Sequence, residues 1–216
     1  MRFNCAVTTE LLEGMRQAKQ TISRGGLIVL PTDTVYGIGC DAFSAFAVNS
    51  LLETKGRGRQ SPPPVLIPSL DTLRALTENP PAIAFKLAEK FWPGALTLIL
   101  RSQSSLSWDL GETKGTVALR IPNDDVTLAL LKEVGPLAVS SANLTGQTAA
   151  NNVDEAENYF GDKVSVYLDG GAAVAGKPST ILDLTQDGVV RVVRVGLLSV
   201  AQVNKVVGSA AEVVTD

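Results

Sequence analysis

The chain contains no histidine. That absence removes Ser-His-Asp and Cys-His nucleophiles, HExxH zinc sites and imidazole proton shuttles, so any chemistry has to run on lysine, arginine, carboxylates, hydroxyls, backbone groups or a bound cation. Cysteine is nearly as scarce. Cys5 and Cys40 make neither a disulfide framework nor a metal-ligand spacing, and each is expected as a buried or free thiol with no chemical role. No apolar run is long enough to span a membrane, and the opening MRFNCAVTTELLEGMRQ lacks the basic-then-apolar order of a secretory signal, so a cytoplasmic chain without membrane contact is expected. A formal net charge of -3 gives no ground for broad nucleic-acid binding. Neither GxxxxGK[ST] nor a GxGxxG between strand and helix occurs, which disfavours the familiar nucleotide folds.

What is present fits one α/β domain over residues 1–216. The chain is 45% hydrophobic, enough for a sizeable core, and no Ser/Gly-rich linker or composition break divides it. The organising stretch is LIVLPTDTVYGIGCD, Leu27 to Asp41. Leu27 to Leu30 reads as a buried strand that Pro31 ends. Thr32, Asp33 and Thr34 then place two hydroxyls and a carboxylate at a strand's carboxyl end, where α/β sheets bind ligands, and Gly37 and Gly39 let backbone approach closely. An ordinary hydrogen-bonded turn accounts equally well for the Thr-Asp-Thr cluster alone.

Before this stretch, Thr8 and Thr9 can cap a packing helix that Arg24-Gly25-Gly26 ends. After it, Ser44 caps a helix whose apolar stripe is Phe46, Val48, Leu51 and Leu52, and which delivers Lys55 to its C-terminal end. There the chain reads KGRGR, Lys55 to Arg59, before Gln60, Ser61 and three prolines. Cations alternating with glycines can curl around a phosphate, although solvated cations at a helix C-cap explain the pattern as well.

Val65 to Ile67 and ALTLILR are expected strands, with helices over 71–77 and 81–92 between them, and Trp92-Pro93-Gly94 is expected in core or corner packing. In TVALRIP, Val117, Leu119 and Ile121 share one face of a strand while Thr116, Ala118 and Arg120 share the other, a polar face with room for a ligand, although a half-exposed strand with Arg120 in water accounts for the segment alone at least as well. Asn123 or Asp124 caps the next helix. Leu137 to Val139 is a short strand opening into Ser140-Ser141-Ala142-Asn143, again hydroxyl and amide groups at a strand end, although for this motif alone an ordinary turn is the better explanation. A helix over 154–160 and strands over 164–168, 179–184 and 189–193 follow, the last two a hairpin across Asp187-Gly188, and Ser199 begins a final helix. Gly170, Gly171 and Gly176 mark a connection expected as a plain surface loop, with a lid as the alternative.

PTDTVYGIG, KGR, TVALRIP, SSAN followed by TG, Pro178-Ser179-Thr180 and Arg194-Val195-Gly196, in this order and spacing, resemble the YrdC-type threonylcarbamoyl-AMP synthase family in its short single-domain form. The resemblance implies a twisted mixed sheet flanked by helices, YrdC/RibB-like, with a wide electropositive cavity and no separate C-terminal domain. It implies a nucleotidyltransferase that makes L-threonylcarbamoyl adenylate and pyrophosphate from L-threonine, bicarbonate and ATP, with Mg2+ accompanying the ATP and no dedicated protein metal ligand. The product would serve N6-threonylcarbamoyladenosine formation in tRNA through a downstream tRNA threonylcarbamoyl transferase complex, and contact with tRNA or double-stranded RNA is a further implied partner. An RNA-binding module with the same cavity and no synthase activity is the alternative of a different class.

Residue by residue, the resemblance implies that Thr34, Arg120, Ser141 and Ser179 serve threonine. Lys55 and Arg57 would meet the phosphates as the catalytic cations, and Ser61, Thr116, Asn143 and Arg194 would complete the nucleotide side. Four departures stand out. Gly58 follows KGR where proline is frequent, and Ser61 precedes the prolines where an Asn or Lys is frequent. Leu66 stands at a position often held by histidine, and Val195 follows Arg194 in place of proline. Arg59 is the cation available to compensate.

Overall fold

The computed structural model describes residues 1–215. In chain order the elements are β1 (Arg2–Asn4), α1 (Thr8–Ser23), β2 (Ile28–Leu30), β3 (Gly37–Asp41), α2 (Ala45–Lys55) and β4 (Val65–Leu66). Then come α3 (Leu70–Leu76), α4 (Ala82–Phe91), β5 (Leu96–Arg101), β6 (Thr116–Arg120), α5 (Asp125–Val134) and β7 (Leu137–Ser141). The last third holds α6 (Val153–Phe160), β8 (Val166–Asp169), β9 (Thr180–Asp183), β10 (Val189–Arg194), α7 (Val200–Val207) and β11 (Glu212–Thr215).

The strands form one mixed sheet in the order β1-β8-β2-β3-β7-β4-β6-β5-β9-β10-β11. Each face carries its own core because side chains alternate across a strand. On one face Ile38, Leu96, Leu98, Leu100, Val117 and Leu119 pack with apolar residues of α2, α3, α4, α6 and α7. On the other, Ile28, Leu30, Leu66, Leu137 and Val139 pack under α1 and α5. α1 lies over β1, β8, β2 and β3 on that face, with α5 beside it. Farther along, Gly37, Arg120, Ala118, Ile99 and Ile181 of β3, β6, β5 and β9 line an open cavity instead.

The expected strand at Ile28–Leu30 is present and is buried throughout. Gly37–Asp41, read above only as part of a polar turn, is a full strand paired antiparallel with both β2 and β7. Its glycines do allow close approach, and the neighbour is a side chain: a Cβ on Gly37 or Gly39 would fall 2.6 or 2.8 Å from the methyls of Val139. β7 runs on through Ser140 and Ser141, so these two residues are strand rather than the turn beyond it. β1 and β11 had no sequence expectation; they are the two edge strands.

Several caps match their chemistry. Ser44 and Asp124 accept hydrogen bonds from the backbone N–H groups of Ala47 (3.3 Å) and Thr127 (2.8 Å), and Ser199 forms a capping box with Gln202. Thr8 and Thr9 do not cap α1. The N-cap is Val7, without a side-chain bond, and Glu10 accepts instead from the N–H of Asn4 at 2.9 Å. Phe46 lies outside the buried stripe of α2, 74% exposed, whereas Ala47, Val48, Leu51, Leu52 and Lys55 are its buried residues. Trp92 is packed in the core as expected, and its Nε1 donates to the carbonyl of Leu96 at 2.6 Å.

Candidate functional site

The cavity over the open half of the sheet has a volume of 620 Å³. Its lining includes Arg57, Arg120 and Arg194 and no aspartate or glutamate among the described residues. Thr34, Ser61, Thr116, Ser141, Asn143 and Ser179 line it too, so nine of the ten residues singled out in the sequence converge here from segments far apart in the chain. The exception is Lys55.

Lys55 is 2% exposed and does not line the cavity. Its ammonium lies beneath the turn after β7, donating to the carbonyl oxygens of Ser141 and, at 2.6 Å, of Asn143. Its own carbonyl accepts from the N–H of Thr145 at 2.9 Å. Burial, and then the nearby charge of Arg57, pull this lysine down to about 8. The reason for its position is helical spacing: Lys55 falls on the same face as Val48, Leu51 and Leu52 and follows them into the core. In this structure it braces the SSAN turn.

Arg57 does face the cavity and donates to the hydroxyl of Ser140 at 3.0 Å. Arg59 does not take over from it. This side chain reaches outward to Asn49 (2.8 Å) and Asp109 (2.6 Å), while its carbonyl accepts from Glu112, so it joins the basic loop to the connection between β5 and β6. That connection supplies Leu110 and Thr113 to the cavity wall. Arg59 therefore adds no cation to the site.

Arg120, 6% exposed, rises from β6 into the Thr-Asp-Thr turn. It donates to the carbonyl of Gly94 (2.9 Å), to the Thr34 hydroxyl (2.9 Å) and to the Asp33 carboxylate (2.5 Å). Burial lowers its proton affinity and Asp33 opposes that loss, which is the arrangement a buried cation requires. A guanidinium has five N–H donors, so about two stay available to a ligand. Asp33 is fixed in turn by the N–H of Asn123 at 2.9 Å, and Thr34 lies 2.9 Å from the Thr32 hydroxyl.

On the far wall, β10 shifts register against β9 between Val192 and Arg194, and both Val193 and Arg194 line the cavity. A bulge re-aims side chains in this way. Arg194 donates to the carbonyl of Ser179 at 2.9 and 3.1 Å and to its hydroxyl at 3.2 Å, and that hydroxyl also lies 2.8 Å from Thr97. Gly196 lets the chain pass tightly here, since a Cβ would fall 2.2 Å from the carbonyl oxygen of Pro178. Burial lowers the proton affinity of Arg194, with Arg120 and then Arg57 adding to the effect. Arg194 thus feels the charges of both other guanidiniums across the cavity.

Two acceptors in the lining are buried without a partner among the described residues: Oδ1 of Asn143 and Oδ1 of Asn151. The amide nitrogen of Asn143 is spent on the carbonyls of Leu144 (2.8 Å) and Gln147 (3.0 Å), leaving the oxygen to a donor from a ligand. Asn151 was missed by sequence reasoning. It lies in TAANNVD, where Asn152 is the helix cap, and nothing local separates the two asparagines.

The connection after β8 is held to the site. The Tyr36 hydroxyl donates to the carbonyl of Gly171 (2.6 Å) and accepts from the N–H of Gly170 (3.0 Å). The N–H groups of Ala173 and Gly176 bond the carbonyls of Asn151 and Thr34 at 2.6 and 3.0 Å. The surface loop expected here is therefore a strap along the cavity rim, with Val174 fully outside it. Cys40 is buried in the core, which pushes its thiol up to about 12, and Cys5 is half-buried; neither reaches the cavity.

Residues 20–196 match the Sua5_yciO_yrdC family model, described as Telomere recombination. A relative from Mycobacterium leprae is 48% identical over 206 residues, covering 95% of this chain and 93% of its own. The threonylcarbamoyl-AMP synthase of Pyrococcus abyssi is 36% identical over 198 residues, covering 90% of this chain. This chain spans 57% of that relative's length. The crystal structure of P. abyssi Sua5 complexed with L-threonine superimposes with a TM-score of 0.90 at 31% identity, over 99% of this chain and 62% of that one.

Proposed function

This chain belongs to the Sua5/YciO/YrdC family, and from that premise we propose that it is a threonylcarbamoyl-AMP synthase. L-Threonine, bicarbonate and ATP are its substrates, and threonylcarbamoyl-AMP, pyrophosphate and water its products. The observation that carries this reading is a 620 Å³ cavity with three arginines and, among the described residues, no acidic side chain in its lining. That volume suits a nucleotide together with a small amino acid, and the charge suits a triphosphate and a carboxylate.

The amino acid sits at Arg120, Thr34, Ser141 and Ser179. The two N–H donors that Arg120 retains meet its carboxylate, and the hydroxyls receive its polar groups. The nucleotide lies toward Arg57, Arg194, Ser61 and Thr116, and the unpartnered Oδ1 atoms of Asn143 and Asn151 accept from its N–H or O–H groups. The threonine amine takes up carbon dioxide as a carbamate, one oxygen of which attacks the α-phosphorus while pyrophosphate leaves. Arg57 and Arg194 neutralise charge developing on the phosphates, so catalysis is positioning and electrostatics, and no covalent enzyme intermediate is needed. Lys55 acts at one remove, by holding the carbonyls of Ser141 and Asn143.

Magnesium enters on ATP. Among the described residues the lining offers no carboxylate and no cluster of three metal-ligating side chains occurs, so the donor set does not fit a protein-held Mg2+. The product is a reactive mixed anhydride, which requires a transferase that passes the threonylcarbamoyl group to tRNA. No helix among the described residues is long and apolar enough to cross a membrane, and a cytoplasmic setting accords with that downstream step.

Pyrophosphate release from ATP, with and without L-threonine in bicarbonate buffer, tests the reading. Threonine-dependent release that Arg57→Ala abolishes is expected. ATP turnover indifferent to threonine would overturn it.

A further inference from the structure

The amino-acid end of the cavity has an apolar floor as well as its polar contacts. Val139 of β7 is the register partner of Gly39, and its two methyls occupy the space that side chains at Gly37 and Gly39 would fill. The N–H of Val139 donates to the carbonyl of Pro64, which brings it beside β4. There Leu66 pairs with Arg120 in parallel register and shares its face of the sheet. Val139 and Leu66 are 6% and 3% exposed, belong to one buried cluster, and both line the cavity. The guanidinium proposed to hold the substrate carboxylate and the apolar floor are thus neighbours in one register.

We infer that Val139, seated in the notch left by Gly37 and Gly39 and flanked by Leu66, reads the methyl group of the substrate side chain. This rests on the synthase reading and deepens it: the site selects a β-hydroxy amino acid that carries a methyl. With the carboxylate on Arg120 and the hydroxyl among Thr34, Ser141 and Ser179, the remaining side-chain substituent is left to the apolar floor. Threonine buries a methyl there; serine leaves the floor uncovered. The contrast is worth about four- to tenfold in affinity, the contribution of one buried methyl in an apolar pocket.

The test is calorimetric binding of L-threonine and L-serine to the full chain and to Val139→Ala, in the presence of a non-hydrolysable ATP analogue. The wild type is expected to prefer threonine. Val139→Ala is expected to lose most of that preference through weaker threonine binding, with serine affinity changed less than twofold. Val139→Ile, which fills the notch further, is expected to weaken threonine more than serine, and thermal denaturation of each variant establishes that it folds. Equal losses for both amino acids, or an unchanged ratio in both variants, would overturn the inference and leave Val139 a packing residue. Selective threonine binding without threonine-dependent pyrophosphate release would instead overturn the synthase reading and leave the inference standing.

Discussion

Replacing Lys55 with methionine separates bracing of the SSAN turn from contact with the nucleotide. The substitution keeps the length of the side chain in its helical slot and removes the ammonium that satisfies the carbonyls of Ser141 and Asn143. Two buried acceptors are left without that donor, at a cost of about 1–3 kcal/mol each. Against this stands the desolvation of the charge, which lowers the lysine from 10.5 to about 8. At about 1.4 kcal/mol per pH unit, that opposes folding by roughly 3 kcal/mol below pH 8. The two terms nearly offset at neutral pH, so Lys55→Met is expected to cost only about 1–2 kcal/mol there.

The sign of the pH dependence follows. Between pH 8 and 10.5 the unfolded chain holds a proton on Lys55 that the folded chain has released, so the lysine's contribution to stability rises with pH across this window. As a neutral amine it still donates to both carbonyls. The stability gap between wild type and variant, measured by urea unfolding, is therefore expected to widen from pH 7 to pH 10. A gap that narrows, or one that stays constant, would show that burial of the Lys55 charge does not oppose folding. Kinetics supply the second reading: a variant of normal stability that loses ATP affinity would return Lys55 to the phosphates.

Arg120→Ala strands the Asp33 carboxylate, 13% exposed, and removes the proposed carboxylate contact; denaturant titration is expected to show a loss of about 3–5 kcal/mol, and calorimetry a loss of threonine binding. Tyr36→Phe deletes the hydroxyl that bonds Gly170 and Gly171, and is expected to cost about 1–3 kcal/mol and to speed amide exchange along residues 170–178 while α1 and α5 stay protected. Gly196→Ala pushes a methyl against the carbonyls of Pro178 and Ser179, and a drop in thermal midpoint equivalent to more than about 1 kcal/mol is expected, together with weaker nucleotide binding as Arg194 shifts.

Much of this architecture is local enough to be read without coordinates. Alternation in TVALRIP places Arg120 opposite Val117 and Leu119, and capping chemistry locates the starts of α2, α5 and α7. The edge strands β1 and β11 were not legible, because short partly exposed segments carry little pattern of their own and form only by pairing with β8 and β10. β3 was hidden for a related reason. Glycine disfavours strands in isolation, and at Gly37 and Gly39 it is present because the methyls of Val139 need the space. Phe46 misled in the opposite direction, its hydrophobicity suggesting a place in the buried stripe that Ala47, Val48, Leu51 and Leu52 form without it.

The same division runs through the site. Sequence alone determined which residue types could do chemistry in a chain without histidine, and the order of its motifs picked out nine residues that meet at one cavity. Which way each cation faces was decided by tertiary structure. Lys55, Arg57 and Arg59 alternate within five residues and look equivalent as a string. The helical face turns the first into the core, the basic loop aims the second into the cavity, and an ion pair with Asp109 draws the third away. Direction is a property of packing on both sides of the backbone, and neighbours tens of residues away in sequence supply it.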